Sequence, residues 1–140
     1  MALIARFLID TSAAARMTIP AVAARLAPLI EAGVVATCAT LDAEALFSAR
    51  SRAAYELLWA DRRSAYEYLP TDDEHWQRAF AAQRALAQAG QHRAVGIADL
   101  LTATLAAEHG LTLVHYDADF DTAATVLTLD HRWVAPRGSL

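Results

Sequence analysis

Short apolar segments rich in β-branched residues alternate with helical patterns along this chain, and this alternation restricts its fold more than any other feature. Strands are predicted at Leu3 to Ile9, at Val34 to Thr37, at Leu111 to His115, and as a last edge strand within Val126 to Val134. Strands that alternate with helices form parallel sheets covered on both faces, so the pattern predicts a three-layer α/β/α fold with a mostly parallel central sheet. A chain of 140 residues is the usual size of one domain, and we expect residues 1–140 to form a single domain.

The helical segments carry recognisable start and stop signals. One helix has Pro20 in its first turn, a cap at Thr18 or its neighbour, and Gly33 at its end. Another is predicted from Ile97 to His109, where Gly110 closes it. The remaining helical patterns run from Leu41 to Ala49, from Ser51 to Tyr66, from Asp72 to Ala89, and from Phe120 onward as a short helix or turn.

Composition predicts a soluble cytoplasmic protein. Hydrophobic residues make up 56% of the chain, but charged residues interrupt every apolar run well before the roughly 18 residues that a membrane helix needs. The N-terminal apolar stretch is too short for a signal peptide, because Asp10 follows it directly. The one cysteine, Cys38, lies in an apolar run and is expected to be a small buried residue in a reducing compartment.

The charged residues exclude several classes of function. The net charge of −4 argues against a protein that binds nucleic acid over its whole surface. It does not exclude an RNA enzyme, because acids clustered in a metal site are neutralised when the cation binds. All 12 basic residues are arginine, and the chain has no lysine. This excludes a phosphoacceptor receiver domain and a P-loop, because both need a lysine. A calcium loop starting at Asp117 would need Gly and Glu where Thr122 and Thr128 stand. The five histidines show no zinc-binding spacing.

Two aspartates stand directly after predicted strands. Asp10 follows the segment RFLI, and Asp117 follows LTLVHY. Ligand sites of open parallel sheets form at the carboxyl ends of the strands, so both side chains are expected at that edge. Each aspartate is equally suited to capping the helix that follows it, and the residues alone leave that alternative open.

A third aspartate, Asp99, lies in the first turn of the helix that starts at Ile97. Ala103 and Ala106 share its helix face, and residues this small favour close packing, so the side chain is expected to face protein rather than solvent. The alternative is an acid that interacts only with the positive end of the helix.

The helix after the second strand carries two acids, Asp42 and Glu44, and its periodicity does not choose between them. Asp42 shares a face with Leu46, whereas Glu44 shares one with Leu41 and Phe47. A solvated helix acid is the ordinary interpretation of either residue.

Converging carboxylates point to a cation. Two carboxylates about 4 Å apart repel by about 4 kcal/mol at an effective dielectric constant of about 20, so such a set requires a shared proton or a divalent ion. Asp119, two residues after Asp117, is expected at the rim of the same site. These acids therefore predict a site for Mg²⁺ or Mn²⁺.

Four segments in order resemble the PIN domain family, and within it the VapC-type toxin ribonucleases of type II toxin–antitoxin systems. They are FLIDTSA, TLDAEALFSAR, GIADLLTATLAAEHG and LVHYDADFD, which together span residues 7–121. The resemblance favours Glu44 over Asp42, because the family's glutamate precedes an Ala-Arg pair that Ala49-Arg50 matches. The chain departs from the family at His115 or Tyr116, where Thr or Ser is common.

The resemblance implies a catalytic acidic set, formed by Asp10, Glu44, Asp99, Asp117 and Asp119. Of these, Asp10, Asp99 and Asp117 are expected to hold Mg²⁺ or Mn²⁺, and activated water would hydrolyse RNA in line. Thr11 or Ser12 matches the small hydroxyl residue that follows the family's first aspartate, and both are expected to bind substrate together with Arg50 and Arg52. The alternative is a non-catalytic PIN domain that only binds RNA or protein.

RNA and protein partners are the remaining expectations. Arg50 and Arg52 follow the Glu44 helix and can bind RNA phosphates, although a solvated helix end or an ion pair is an equal alternative. The family resemblance implies a homodimer and a VapB-like antitoxin. The apolar side chains suggested for such an interface, which can equally fill the core, are Leu46, Phe47, Tyr55, Leu57, Leu58 and Trp59.

Overall fold

A five-stranded sheet in which every pairing is parallel forms the centre of the molecule, as seen in a computed structural model that describes residues 2–140. The strand order is β3-β2-β1-β4-β5. The strands are β1 Phe7–Ile9, β2 Val35–Cys38, β3 Glu67–Leu69, β4 Thr112–His115 and β5 His131–Trp133. The predicted parallel sheet is thereby confirmed.

Helices cover both faces of this sheet. They are α1 Thr11–Ala14, α2 Pro20–Glu31, α3 Ala39–Phe47, α4 Arg52–Ala65, α5 Asp73–Gln88, α6 Ile97–His109 and α7 Asp119–Ala123. Successive strand residues point to opposite faces, so Leu8 lies in one buried core with residues of α5 and α6, and Ile9 lies in a second core with Val22 and Leu26 of α2. The predicted three-layer α/β/α arrangement is therefore confirmed.

Helix α6 is buried along most of its length, and its limits are those predicted from the sequence. Every residue from Leu100 to Ala106 is buried, because this segment is apolar almost all round. Gly110 ends the helix with a left-handed backbone angle φ of 66°. The chain then enters β4, which places the first turn of α6 at the carboxyl edge of the sheet.

Several boundaries differ from the sequence predictions. The first strand is shorter than Leu3 to Ile9, because the backbone N–H groups of Ile4 and Ala5 donate to the Glu67 side chain instead of a strand. Helix α1 and strand β3 were missed, since elements of four and three residues are too short to show a period. Ile19 precedes α2, and no side chain caps that helix.

Two further expectations agree with the structure. The side chain of Cys38 is completely buried, as its apolar neighbours indicate. The last strand does lie at the edge of the sheet, although only His131–Trp133 of the segment from Val126 to Val134 forms it. Within residues 2–140, no helix combines the length and the apolar character needed to cross a membrane.

Candidate metal centre

The carboxyl edge of the two central strands carries the first pair of aspartates. Strands β1 and β4 are parallel neighbours, with Ile9 opposite Val114, so the residues that follow them leave the sheet at the same edge. Asp10 comes directly after β1, and Asp117 comes two residues after the end of β4. The first turn of α6, with Asp99, and the start of α7, with Asp119, lie at this edge as well.

Three of the acids lie within coordination range of a shared ion. One carboxylate oxygen from each of Asp99, Asp117 and Asp119 lies within 4.8 Å of the corresponding oxygens of the other two. The backbone N–H of Asp119 also donates to Asp117 Oδ1 at 2.9 Å. Asp10 is outside this 4.8 Å group, whereas Asp119, expected at the rim, belongs to it.

Asp10 is the most buried of the acids, with 4% of its surface exposed. Its Oδ2 accepts a hydrogen bond from the Ser12 backbone N–H at 3.0 Å, which is the helix-capping role left open by the sequence. Its Oδ1 is buried and has no hydrogen-bond partner among residues 2–140. Burial raises the pKa of Asp10, and the charges of Glu44 and Asp117 raise it further. A buried, unsatisfied carboxylate oxygen beside other acids is a suitable ligand for a cation.

The electrostatics of Asp99 show that all five acids lie near one another. Burial is the first cause that raises the pKa of Asp99 to about 7, and the charges of Asp10, Glu44, Asp117 and Asp119 raise it further. The pKa of Asp119 is raised too, by burial and by the charge of Asp117. Mutual repulsion of this kind is relieved by a proton or a cation.

Tertiary contacts separate the two acids of α3. The Thr11 hydroxyl, on the helix after β1, donates to Glu44 Oε2 at 2.7 Å. Asp42 is buried elsewhere, where Arg62 Nε donates to its Oδ1 at 2.9 Å and the Thr37 hydroxyl donates to the same oxygen at 2.8 Å. The structure thus brings Glu44 to the acidic cluster and places Asp42 in an ion pair.

The four residues suggested for substrate binding lie in two different environments. The Thr11 hydroxyl holds Glu44, and the Ser12 hydroxyl accepts from the Tyr116 backbone N–H at 2.9 Å, so both are engaged with protein groups. Arg50 and Arg52 follow α3 and are exposed, and neither makes an ion pair with any other residue in the range 2–140. Their guanidinium groups are free to meet an external anion.

Two side chains near the acids, Arg16 and His115, are not among the site residues that the sequence predicts. Arg16 donates to the Ser12 carbonyl at 2.6 Å, and its guanidinium lies 4.6 Å from the centre of the Tyr116 ring. His115, at the end of β4, is fully buried and accepts a hydrogen bond from the Asp117 backbone N–H at 3.2 Å. Burial lowers the pKa of His115 to about 4, with the neighbouring His131 contributing. The only signal in the sequence was the departure from Thr or Ser at this position.

An apolar face lies on α3 and α4, where the sequence suggested an interface. We call the three side chains Phe47, Tyr55 and Trp59 the α3/α4 face, and their exposed fractions are 92%, 40% and 44%. Leu57 is exposed as well, but it lies two positions from both Tyr55 and Trp59 and therefore on the opposite side of α4. A groove of about 450 Å³ runs between these helices. Leu46 is buried, and Leu58 is half-buried, so these two belong partly to the core.

Comparisons with known proteins agree with this fold and with the motifs. The family model of the PIN domain matches residues 7–126. The chain is 44% identical over 134 residues to Ribonuclease VapC21 of Mycobacterium tuberculosis, which covers 96% of this chain and 97% of that protein. It is 39% identical over 135 residues to Ribonuclease VapC51 of the same organism, and this match covers 96% of this chain and 97% of that protein.

A solved structure shows the same fold at low identity. The DNA-bound VapBC complex from Salmonella typhimurium matches with a TM-score of 0.72 and 18% identity, covering 94% of this chain and 99% of that one. The family match spans most of the chain, and the identity to the two Mycobacterium tuberculosis proteins extends over nearly all of it. The chain therefore belongs to the PIN domain family and, within it, to the VapC group.

Proposed function

We propose that this protein is a divalent-metal-dependent endoribonuclease and the toxin of a VapBC-type toxin–antitoxin pair, built as a single domain over residues 1–140. The observation that carries this proposal is the convergence of Asp99, Asp117 and Asp119, whose carboxylate oxygens lie within 4.8 Å of one another. The buried Asp10, whose Oδ1 has no hydrogen-bond partner among residues 2–140, adds a further acid to them. The ribonuclease names of VapC21 and VapC51 support the proposed reaction.

The donor atoms of this site fit Mg²⁺ or Mn²⁺. Every candidate ligand is a carboxylate oxygen, which is the donor that these hard cations prefer. Asp10, Asp99 and Asp117 would hold the ion, with Asp119 and Glu44 contributing directly or through water. When bound, the cation would lower the pKa of water and stabilise charge on the reacting phosphodiester.

The chain's own residues prepare the site for that chemistry. Burial leaves Asp10 and Asp99 with raised pKa values, so both carboxylates gain most from a positive partner. The Thr11 hydroxyl holds the Glu44 carboxylate toward the other acids. Arg50 and Arg52 present exposed guanidinium groups that can bind the phosphates flanking the cleaved bond.

A protein partner would cover the α3/α4 face. This face exposes aromatic side chains on two packed helices, and aromatic residues are enriched in the cores of protein interfaces. The solved neighbours include VapBC complexes, which supports a VapB-like antitoxin as the partner. A second copy of the chain, implied by the family resemblance alone, is proposed as a further partner. Size-exclusion chromatography of the isolated protein tests the homodimer, and a single monomer peak would count against it.

The proposed compartment for this reaction is the cytoplasm.

Cleavage of cellular RNA tests the reaction. Purified protein is incubated with total RNA in Mg²⁺, in Mn²⁺ and in chelator, and the new ends are sequenced. We expect discrete cuts that need the metal and that disappear in Asp10→Asn and Asp99→Asn, both nearly isosteric and both folded. Binding of RNA without cuts by the wild-type protein would instead support the non-catalytic alternative.

A further inference from the structure

A buried imidazole supports the backbone from which two of the acids project. His115 ends β4, and its Nδ1 lies 3.2 Å from the Asp117 backbone nitrogen. Its Nε2 lies 2.9 Å from His131 Nδ1 on the neighbouring strand β5. The ring is fully buried and packs against the rings of Phe120 and Trp133, with centres 5.0 and 5.1 Å away. This packing fixes its orientation.

The direction of these hydrogen bonds follows from their donors. The Asp117 backbone N–H can only donate, so Nδ1 of His115 must be the acceptor and carries no proton. In a neutral imidazole the proton then lies on Nε2, which donates to His131 Nδ1. With its proton on Nε2 and its Nδ1 lone pair engaged, His115 offers no lone pair to a cation. The nearby group of His115, Asp121 and His131 is therefore a hydrogen-bonded cluster rather than a second metal site.

The hydrogen bond from Asp117 to His115 replaces one that the sheet cannot supply. Strand β4 has ended at His115, so the N–H groups of Tyr116 and Asp117 have side-chain acceptors, the Ser12 hydroxyl and the His115 ring. Asp117 Oδ1 in turn accepts from the Asp119 backbone N–H. One series of hydrogen bonds thus runs from β5 through His115 to both acids.

We propose that His115 is a positioning residue for the acidic site, which sets the backbone at Asp117 and, through it, the separation of Asp117 and Asp119. This inference rests on the proposed function, because it assumes that these acids bind a divalent cation. It assigns His115 no contact with metal or RNA. Removing a group that orients a metal ligand without touching the metal typically lowers metal affinity by 10- to 100-fold.

Two conservative variants separate positioning from packing. The amide oxygen of Asn can take the place of Nδ1 and accept from Asp117, whereas Gln reaches the place of Nε2 and leaves the Asp117 N–H without its acceptor. By calorimetric Mn²⁺ titration we expect His115→Gln to bind at least about tenfold more weakly than wild type. We expect His115→Asn to keep most of the affinity.

His75 provides a matched control in the same protein. Its Nδ1 accepts from the Asp72 backbone N–H at 3.0 Å and its Nε2 meets Glu108, an arrangement like that of His115. Glu108 lies near the opposite end of α6 from Asp99, about 13 Å away along the helix axis. His75, Glu108 and His109 could themselves hold an ion at that distant end of α6. We therefore expect His75→Gln to lower the melting temperature without changing the Mn²⁺ affinity of the acidic site.

The outcomes distinguish this inference from the proposed function. A wild-type protein that binds no Mn²⁺ overturns the proposed function and this inference with it. A wild-type protein that binds, together with a folded His115→Gln of unchanged affinity, overturns the inference alone, as does equal loss in His115→Asn and His115→Gln. If His115→Gln does not fold, His115→Leu, which has about the size of His115→Asn but no acceptor, takes its place. Equal Mn²⁺ affinity of His115→Leu and His115→Asn then overturns the role of His115.

Discussion

The Thr11 hydroxyl donates a hydrogen bond to Glu44 Oε2 at 2.7 Å, which joins the helix after the first strand to α3 across 33 positions of sequence. This contact holds Glu44, the one glutamate of the acidic cluster. Glu44 lies on the same helix as the ion-paired Asp42. Glu44 is half-buried, and its side chain makes no other hydrogen bond or ion pair with residues 2–140.

Removing this hydroxyl should impair cleavage more than folding. We expect Thr11→Val, which keeps the side-chain shape, to lower kcat for RNA cleavage about tenfold, because Glu44 loses its orienting donor. The free energy of unfolding should fall by only about 1 kcal/mol, as is usual for one hydrogen bond. Thr11→Ser keeps the hydroxyl and serves as the control. Equal cleavage by Thr11→Val and wild type would show that the bond does not orient a working group.

The two acids of α3 should behave in opposite ways when they are neutralised. We expect Asp42→Ala to destabilise the fold by about 3 kcal/mol, because it leaves the largely buried Arg62 without its partner, while the folded fraction stays active. Glu44→Gln should keep its melting temperature and lose most of its cleavage activity. Denaturant unfolding and RNA cleavage, measured on both variants, check this. The reverse pattern would assign the site to Asp42.

The buried carboxyl of Asp99 should make the stability of the metal-free protein depend on pH. Its pKa rises from 3.8 to about 7, mainly because of burial. The native state then binds the proton more tightly than the unfolded chain, so this contribution to stability is complete below pH 3.8 and is lost as pH rises to about 7. Without metal, we expect the melting temperature to fall by at least about 3 °C between about pH 5 and about pH 8.

Two controls accompany that pH series. Asp99→Asn cannot ionise at this position, so its melting temperature should fall less over the same range. Bound Mg²⁺ competes with the proton, so adding it should flatten the wild-type curve, most strongly at high pH. A wild-type curve as flat as that of Asp99→Asn would mean that Asp99 titrates near its ordinary pKa.

Arg50 and Arg52 should act on RNA binding rather than on the chemical step. We expect Arg50→Ala and Arg52→Ala each to raise KM with little change in kcat. Each should also reduce the steepness of the plot of log binding constant against log salt concentration. The slope should change by about 0.7 for every RNA phosphate that the guanidinium neutralises. Arg6 is also exposed, makes no ion pair with residues 2–140 and lies before the amino end of β1, opposite the acids, so Arg6→Ala is a matched control. If all three variants behave alike, groups other than Arg50 and Arg52 bind the RNA phosphates.

Long elements with clear ends were predictable from the sequence. Helix α6 was predicted with its observed limits because an apolar pattern fills it and Gly110 ends it. The strands that lead to Asp10 and Asp117 were located because each is a compact apolar run. The placement of both aspartates at the same edge of the sheet follows from the general rule for parallel sheets.

The parts that were missed depend on interactions between distant segments. Strand β3 has three residues and forms only by pairing with β2, so its own sequence gives little signal. The choice between Asp42 and Glu44 depends on whether Arg62 or Thr11 is nearby, which helical periodicity does not encode. His115 and His131 lie 16 positions apart and meet only because β4 and β5 pair.

Direct titration of the purified wild-type protein with Mn²⁺, beside Asp10→Asn, tests whether these carboxylates share a divalent cation. We expect saturable binding by the wild type, with a rise in melting temperature. Asp10→Asn should fold and bind much more weakly, because it removes the charge next to the unpaired Oδ1 position. Absence of binding by the folded wild-type protein, or equal binding by Asp10→Asn, would contradict the account.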